Sequence, residues 1–498
     1  MRPDRLNFAA RIKIDATLEL NAMKRRDFLG YTGMAAMGAA ASTALSGCSE
    51  DAPVVKFWQE GNFRPVTEEV TETSLKVEGS IPPELSGLYV RNGTNASSGV
   101  AEHFFGGDGM MHGVRLEAGE AKWYRNRYVD TPVYRQEAGG MGSPKPENTT
   151  SAVSLIYHGG ELMSLGEFGY PYLINAEDLS TKGPFNYDGK LPGNMTAHPR
   201  IDPTTGELLF FGYNVMEPYL TYMRADANGN MLQVEPIELT GPSMVHDFAV
   251  TENYVVFMEM QVRFSWFSAI TGSGLPFKWD DNAPCRFGVM PRTGTNADIK
   301  WFDIPSCFVF HVMNSFEQGD EVVVDAARYD HLWVKNSHDF FHPAHLSRFS
   351  MNMKTGQASV DRVYGRPMEF PQVNREYWTR DYRYGYSLAV DEENDSPEKA
   401  QQAEGGIRKY DLKSGEVDDW LPGVTLEPGE PIFIPAADSS AEDGGYIASY
   451  VYDKNTQATA FCLFDATAIS SGPIAKVHLP VRVPVGFHGV WVPDSALG

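Results

Sequence analysis

Four histidines, far apart along the chain, carry the chemistry this sequence offers. They are His198 in NMTAHPRIDP, His246 in MVHDFAV, His311 in VFHVMNSFEQGD and His488 in GFHGVWVP. Each lies in or beside a short apolar, strand-like run, and none belongs to a local metal signature such as HExxH. A single buried histidine more often satisfies a core hydrogen bond than binds a metal. Three carboxylates lift these four above that reading: Glu167 in LMSLGEFGYP, Glu369 in PMEFPQVN and Glu430 in PGEPIFIP. A lone carboxylate beside an apolar run is costly to bury. A ligating imidazole, however, gains orientation by donating its second N–H to one. We therefore expect the four histidines to meet around one metal ion, with the glutamates behind three of them. Four neutral imidazoles on a six-coordinate ion leave two positions open. That suits an Fe(II) oxygenase better than structural zinc, which closes at four.

Such a constellation needs a fold that gathers residues from distant strands. Beyond residue 150 the chain is a series of short β-like runs: SAVSLIYHGGELMSL, GELLFFGYN, NYVVFMEMQV, DEVVVDAARY, HLWVKN and GYIASYVYD. Their β-branched and aromatic content, broken by polar and glycine turns, predicts antiparallel sheet. One turn recurs, from Asp202 to Gly206, Asn352 to Gly356 and Asp411 to Gly415. An Asx residue opens it and a glycine supplies positive φ. Repeated outer hairpins of one type suggest radially repeated sheets, as in a β-propeller. No strict period is visible, so spacing alone leaves a large sandwich open as well. The polar stretch 391–405 reads as a surface insertion.

The chain has 498 residues, 42% hydrophobic and 21% charged, enough for a large core and too little charge for disorder. A net charge of −23 repels phosphate backbones, which excludes nucleic acid as a partner, and it disfavours docking on anionic lipid. Arg25 and Arg26 precede Asp27-Phe28-Leu29 and a Gly/Ala-rich apolar stretch, the pattern of a twin-arginine export signal starting at Met23. Leu45-Ser46-Gly47-Cys48 resembles a lipobox. We read residues 1–50 as an export signal and 51–498 as a single oxygenase domain. The expected location is exported and bacterial, periplasmic or membrane-anchored, with membrane association through a lipidated Cys48 or an apolar tunnel mouth. Cys285, Cys307 and Cys462 are too few for a disulfide framework. A Cys285–Cys307 bridge stays open, with buried thiols the simpler expectation.

Other motifs read as structural. The GGDG turn after His103 lacks the Lys-Ser/Thr of a phosphate loop. His103 and His112 have no acids placed beside them. Pro343 interrupts the helical register that His338, His342 and His345 would need, and Glu317 reads as a turn or sheet-edge residue rather than an acid behind His311.

The stretches GLYVRNG, HFFGGDGMMHGVRL, TAHPRIDPTTGELLFFGY, FGVMPRTG, FHVMNSFEQGDEVVVD, MEFPQVN, GEPIFIP, EDGGYI and GFHGVWVP resemble the carotenoid cleavage oxygenases, over about residues 60–496. The resemblance implies an all-β, seven-bladed β-propeller whose loops cap an axial Fe(II) site and form an apolar tunnel. It implies His198, His246, His311 and His488 as iron ligands, with Glu167, Glu369 and Glu430 behind three of them. The implied reaction is O₂-dependent cleavage of a conjugated C=C bond in a carotenoid, apocarotenoid or related apolar alkene, giving two carbonyl products. In the lignostilbene branch a lysine commonly precedes the first of these glutamates and engages a substrate phenol. Here that position is Gly166, while Tyr134 is aligned with that branch's companion tyrosine. Two further readings stay open: an isomerase of the same family, and an exported, metal-bound propeller lipoprotein that binds apolar ligands without cleaving them.

Overall fold

In the computed structural model, residues 56–140, 143–271, 274–339, 342–390 and 404–497 are described. The export signal at 1–50 and most of the 391–405 insertion lie outside them. Five of the six β-like runs form strands, among them Leu208–Tyr213, Tyr254–Glu259, Glu321–Tyr329 and Gly445–Asp453. HLWVKN does not. Trp333 takes a left-handed φ of 54° and buries its ring against Phe105 and Phe310. The apolar content of that run reflects packing under a loop rather than a ladder.

Among the described residues, six larger antiparallel sheets follow one another beside the two-stranded hairpin Val262–Phe264 with Phe277–Trp279, and the seven-stranded sheet divides into two units, so that there are seven units apart from the hairpin. Their strands nearest the four histidines include Gly489–Pro493 in the first unit and Ser154–His158 in the second. Arg200–Ile201 serves the third, Ala249–Val250 the fourth, Phe308–Gln318 the fifth and Ile432–Pro435 the seventh. The fifth and sixth share the long strand Ala358–Gln372. Its first part pairs with Ala344–Asn352, and its last part, from Met368, pairs with Tyr384–Ala389. Two units close the set by pairing N-terminal with C-terminal chain. Gly87–Arg91 pairs with Gly489–Pro493, and Val77–Gly79 pairs with Pro473–His478.

The inner faces hold the core. Leu209, Phe211, Phe257, Phe287, Val324 and Phe349 are fully buried in its largest cluster. Each such side chain contributes roughly 1.5–3 kcal/mol relative to exposure. The recurrent turn forms as its residues predict. The Asx Oδ1 accepts from the amides two and three residues on, at 2.7 and 2.8 Å for Asp202. Asn352 and Asp411 repeat the pattern, with glycine φ of 71°, 76° and 78°. The turns are not all outer hairpins: the one at Asp202 follows Arg200–Ile201, beside the histidines. An Asx turn is a local solution to reversing a chain, so it marks hairpins without telling inner from outer.

Candidate metal centre

Strand starts position the histidines. His198, His246 and His488 each stand one to three residues before the strands Arg200–Ile201, Ala249–Val250 and Gly489–Pro493. His311 lies within Phe308–Gln318, where the pairing with Glu321–Tyr329 is irregular between Val309 and Asn314. That irregularity frees His311 from the ladder and re-aims its side chain. One candidate ligand atom from each of the four residues lies within 4.8 Å of the other three. His198 Nε2 and His246 Nε2 are 2.9 Å apart.

The outward nitrogens meet the three glutamates. His246 Nδ1 is 3.0 Å from Glu167 Oε2, His311 Nδ1 is 2.6 Å from Glu369 Oε2, and His488 Nδ1 is 2.7 Å from Glu430 Oε1. A carboxylate takes the Nδ1–H, so the Nε2 lone pairs are left facing inward. His311 Nε2 is buried with no hydrogen-bond partner. Leaving such an acceptor unsatisfied costs about 1–3 kcal/mol, and a bound cation would satisfy it. The donor set fits a metal: four imidazoles, three with an anionic acceptor behind them.

Electrostatics act unequally on the set. Burial, then the three neighbouring imidazoles, hold His198 well below the ordinary imidazole range. Burial lowers His488 too, against the opposing pull of Glu430. Burial also acts to lower His311, but the charge and hydrogen bond of Glu369 outweigh it and the net shift is upward. Glu369 shifts downward: burial acts to raise it, and His311, Tyr329 and the Phe370 amide more than offset that.

Three further residues hold the glutamates, and the sequence reading missed all of them. Tyr213 donates to Glu167 Oε1 at 2.7 Å, Tyr329 to Glu369 Oε1 at 2.6 Å, and Gln372 to Glu430 Oε1 at 2.7 Å. The Gly489 amide donates to Glu430 Oε2 at 2.7 Å. Phe370, in left-handed conformation at φ 52°, stacks on His311 at 5.1 Å between ring centroids. The signal for the two tyrosines was a polar tip ending an apolar strand, which must find a partner when buried.

The histidines read as structural have other partners. His112 Nδ1 meets Tyr124 Oη at 2.8 Å, and His103 packs against both Trp58 and His338, which stack on each other. His342 pairs with Asp339 at 3.2 Å, and His345 lies on the strand Ala344–Asn352. Glu317 sits near the end of Phe308–Gln318 and accepts from Thr251 and Asn253, not from His311. Cys285 and Cys307 are free thiols with sulfurs 3.7 Å apart, and Cys462 is a free buried thiol.

A cavity of about 1010 Å³ opens onto the cluster. His246, His311 and His488 line it, together with Glu167 and Glu369, while His198 and Glu430 lie behind. Phe104, Phe105, Phe168, Phe310, Phe370 and Phe487 are among the residues that line it. The volume reaches the upper end of ligand pockets in general, about 300–1,000 Å³, so an extended apolar molecule fits beside the imidazoles.

The family model of the retinal pigment epithelial membrane protein, RPE65, matches residues 63–493. The chain is 35% identical to a carotenoid 9,10(9',10')-cleavage dioxygenase of Pisum sativum, over 90% of this chain and 92% of that one. The crystal structure of Pseudomonas brassicacearum lignostilbene dioxygenase matches with a TM-score of 0.79 at 29% identity, covering 88% of this chain and 98% of its own. Cobalt-substituted Synechocystis apocarotenoid oxygenase matches with a TM-score of 0.79 at 25% identity, covering 88% and 98%. The all-β fold is thus shared with solved carotenoid oxygenase structures.

Proposed function

Because the chain belongs to the RPE65 family, which includes the carotenoid cleavage oxygenases, we propose that it is a non-haem Fe(II) dioxygenase of carotenoids or apocarotenoids. The observation that carries this reading is the juxtaposition of the four-histidine cluster with a large cavity lined in part by phenylalanines. His198, His246, His311 and His488 would hold the iron, oriented by Glu167, Glu369 and Glu430. Iron in such a site supplies activation of O₂ towards an electron-rich double bond. The chain's own contribution is positioning. The phenyl rings sandwich a flat polyene, set one double bond against the imidazoles and keep water away. The glutamates keep the imidazole Nδ1–H bonds directed outward. The substrate supplies the electrons, so no organic cofactor is required, and two carbonyl products result.

A membrane face is the proposed source of such a substrate. Trp266, Phe267 and Ile270, on the short helix Trp266–Thr271, are 61%, 77% and 82% exposed. Phe264 packs edge-on against both Trp266 and Phe277, and Phe277 and Leu275 line the cavity. The exposed aromatic group is therefore continuous with the cavity wall, as an interfacial anchor at a tunnel mouth would be. The net charge of −23 favours zwitterionic over anionic lipid. The motif at Arg25-Arg26 and Cys48 supports the reading of an exported protein, periplasmic or membrane-anchored.

The phenolic stilbene reading finds less support. A Cβ at Gly166 would stand 2.7 Å from Thr149 Oγ1, so a lysine there would require Thr149 to move. Tyr134 stacks on Tyr128 at 4.7 Å and is not among the cavity-lining residues. The test is incubation of the iron-loaded protein with carotenoids, apocarotenals and hydroxystilbenes, recording oxygen uptake and product mass. Paired carbonyl fragments from a polyene are expected. A product of unchanged mass would make it an isomerase, and binding without oxygen uptake would make it a carrier.

A further inference from the structure

Three of the four histidines have a carboxylate on Nδ1. His198 has none among the described residues; its backbone amide donates to Thr196 Oγ1 at 3.1 Å. Two residues on, Arg200 reaches across to Asp247, the neighbour of His246. Arg200 Nη2 lies 2.8 and 3.0 Å from the two carboxylate oxygens. Asp247 is fully buried, and its Oδ2 also accepts the amide of Val312, the neighbour of His311, at 2.8 Å. Arg200 packs on one ring contact of Trp378, at 5.4 Å, and Arg375 makes another at 5.0 Å. Arg375 in turn donates to the carbonyl of Gly489, beside His488, at 3.4 Å. Every histidine-bearing segment is thus gripped one or two residues from its imidazole, and one carboxylate grips three of them.

We infer that Asp247, through Arg200 and the Val312 amide, is a positioning residue that sets His198, His246 and His311 at ligand spacing. It rests on the reading of the cluster as a metal centre. The two inner strands Arg200–Ile201 and Ala249–Val250 are only two residues long and belong to separate sheets. Ladder bonds therefore do not fix His198 against His246; the Arg200–Asp247 ion pair bridges the two segments, with the Thr196 hydroxyl 3.4 Å from the His246 carbonyl beside it. A single nitrogen, Nη2, reaches both carboxylate oxygens and lies 3.4 Å from the Val312 carbonyl, so the pair is a charge-assisted bridge made at one donor. Lysine keeps the charge of Arg200 but not the planar guanidinium that packs over Trp378.

The test compares Asp247→Asn and Arg200→Lys with Asp325→Asn. Asp325 is another fully buried acid, bound to both Arg348 Nε and Nη2 at 2.8 Å and to Tyr382 at 2.8 Å, but it touches no histidine. Metal-free proteins are titrated with Co(II), recording affinity, the visible ligand-field spectrum and the melting temperature. All three variants should melt lower than the wild type. Asp247→Asn should bind Co(II) about tenfold more weakly or worse, at the scale of lost supporting groups, with an altered band. Arg200→Lys should lie between it and the wild type, and Asp325→Asn should keep wild-type affinity and spectrum. Wild-type affinity and spectrum in Asp247→Asn would reduce the pair to a structural ion bridge. If that variant does not fold, the same result in Arg200→Lys overturns the inference. A wild type that takes up no Co(II) overturns the metal centre, and the brace with it.

Discussion

Two buried polar clusters sit on neighbouring strands of the fourth sheet, and they spend their hydrogen-bonding capacity differently. Glu259 ends the strand Tyr254–Glu259 and is fully buried. Its Oε1 accepts from the Thr240 amide at 2.7 Å, the Thr240 hydroxyl at 2.6 Å and Arg263 at 3.0 Å, and its Oε2 accepts from Arg286 at 2.8 Å. Both carboxylate oxygens are engaged, and the cluster ties strands together. His246, one strand inward, is closed on its outer side by Glu167, and its Nε2 lies 2.9 Å from His198 Nε2. Its Nε2 faces three other imidazoles that are likewise closed outward or braced, and His311 Nε2 has no hydrogen-bond partner among the described residues. Burial of charge does not tell a functional site from a structural one. Valence that converges on a common point and is left unspent does.

That contrast can be broken by substitution. His246→Ala should abolish metal retention and turnover together, because three imidazoles leave the ion short of a ligand. Elemental analysis alongside a turnover assay checks this, and normal metal content with unchanged activity would remove His246 from the set. Glu369→Gln should keep the fold and weaken metal binding about 10–100-fold, read by titration of the metal-free protein. Unaltered affinity would mean that the carboxylate charge does not matter. Acidification should weaken binding about tenfold per pH unit for each competing proton. The onset should lie above the ordinary imidazole midpoint of about 6.5, since Glu369 raises His311 and a proton on its Nε2 excludes the metal. Glu369→Gln removes that upward pull and should move the onset to lower pH; an onset common to both proteins would refute the coupling. Smallest in its effect on the metal is Glu259→Gln. It leaves Arg263 and Arg286 short of a counter-charge and should cost about 3–5 kcal/mol of stability. Metal affinity should stay at the wild-type value, measured by denaturant unfolding and the same titration. A large loss of affinity would join the two clusters that the geometry separates.

Much of the centre was legible in sequence because burial of charge is expensive. Glu167, Glu369 and Glu430 stood out in apolar surroundings, and they meet His246, His311 and His488 in that order. The strands were legible wherever burial alternates or runs apolar. HLWVKN was misread because the burial of Trp333 comes from packing under a loop and not from a ladder. Asp247 was illegible for a different reason. It sits next to a histidine already singled out, and its partners lie 47 and 65 residues away. Nothing local distinguishes an acid that braces other strands from one that faces water. Tyr213, Tyr329 and Gln372 were missed on the same ground, since their role exists only once the glutamates are placed.

The pairing of Gly87–Arg91 with Gly489–Pro493 has a consequence in time as well as in space. His488 immediately precedes that final strand, so it is the last of the four histidines to leave the ribosome. It reaches the other three only when the C-terminal strand docks on a sheet begun some four hundred residues earlier. A nascent chain can therefore offer at most three of these imidazoles to a metal ion. The complete centre is a late event, and metal retention reports that the first and last parts of the chain have found each other.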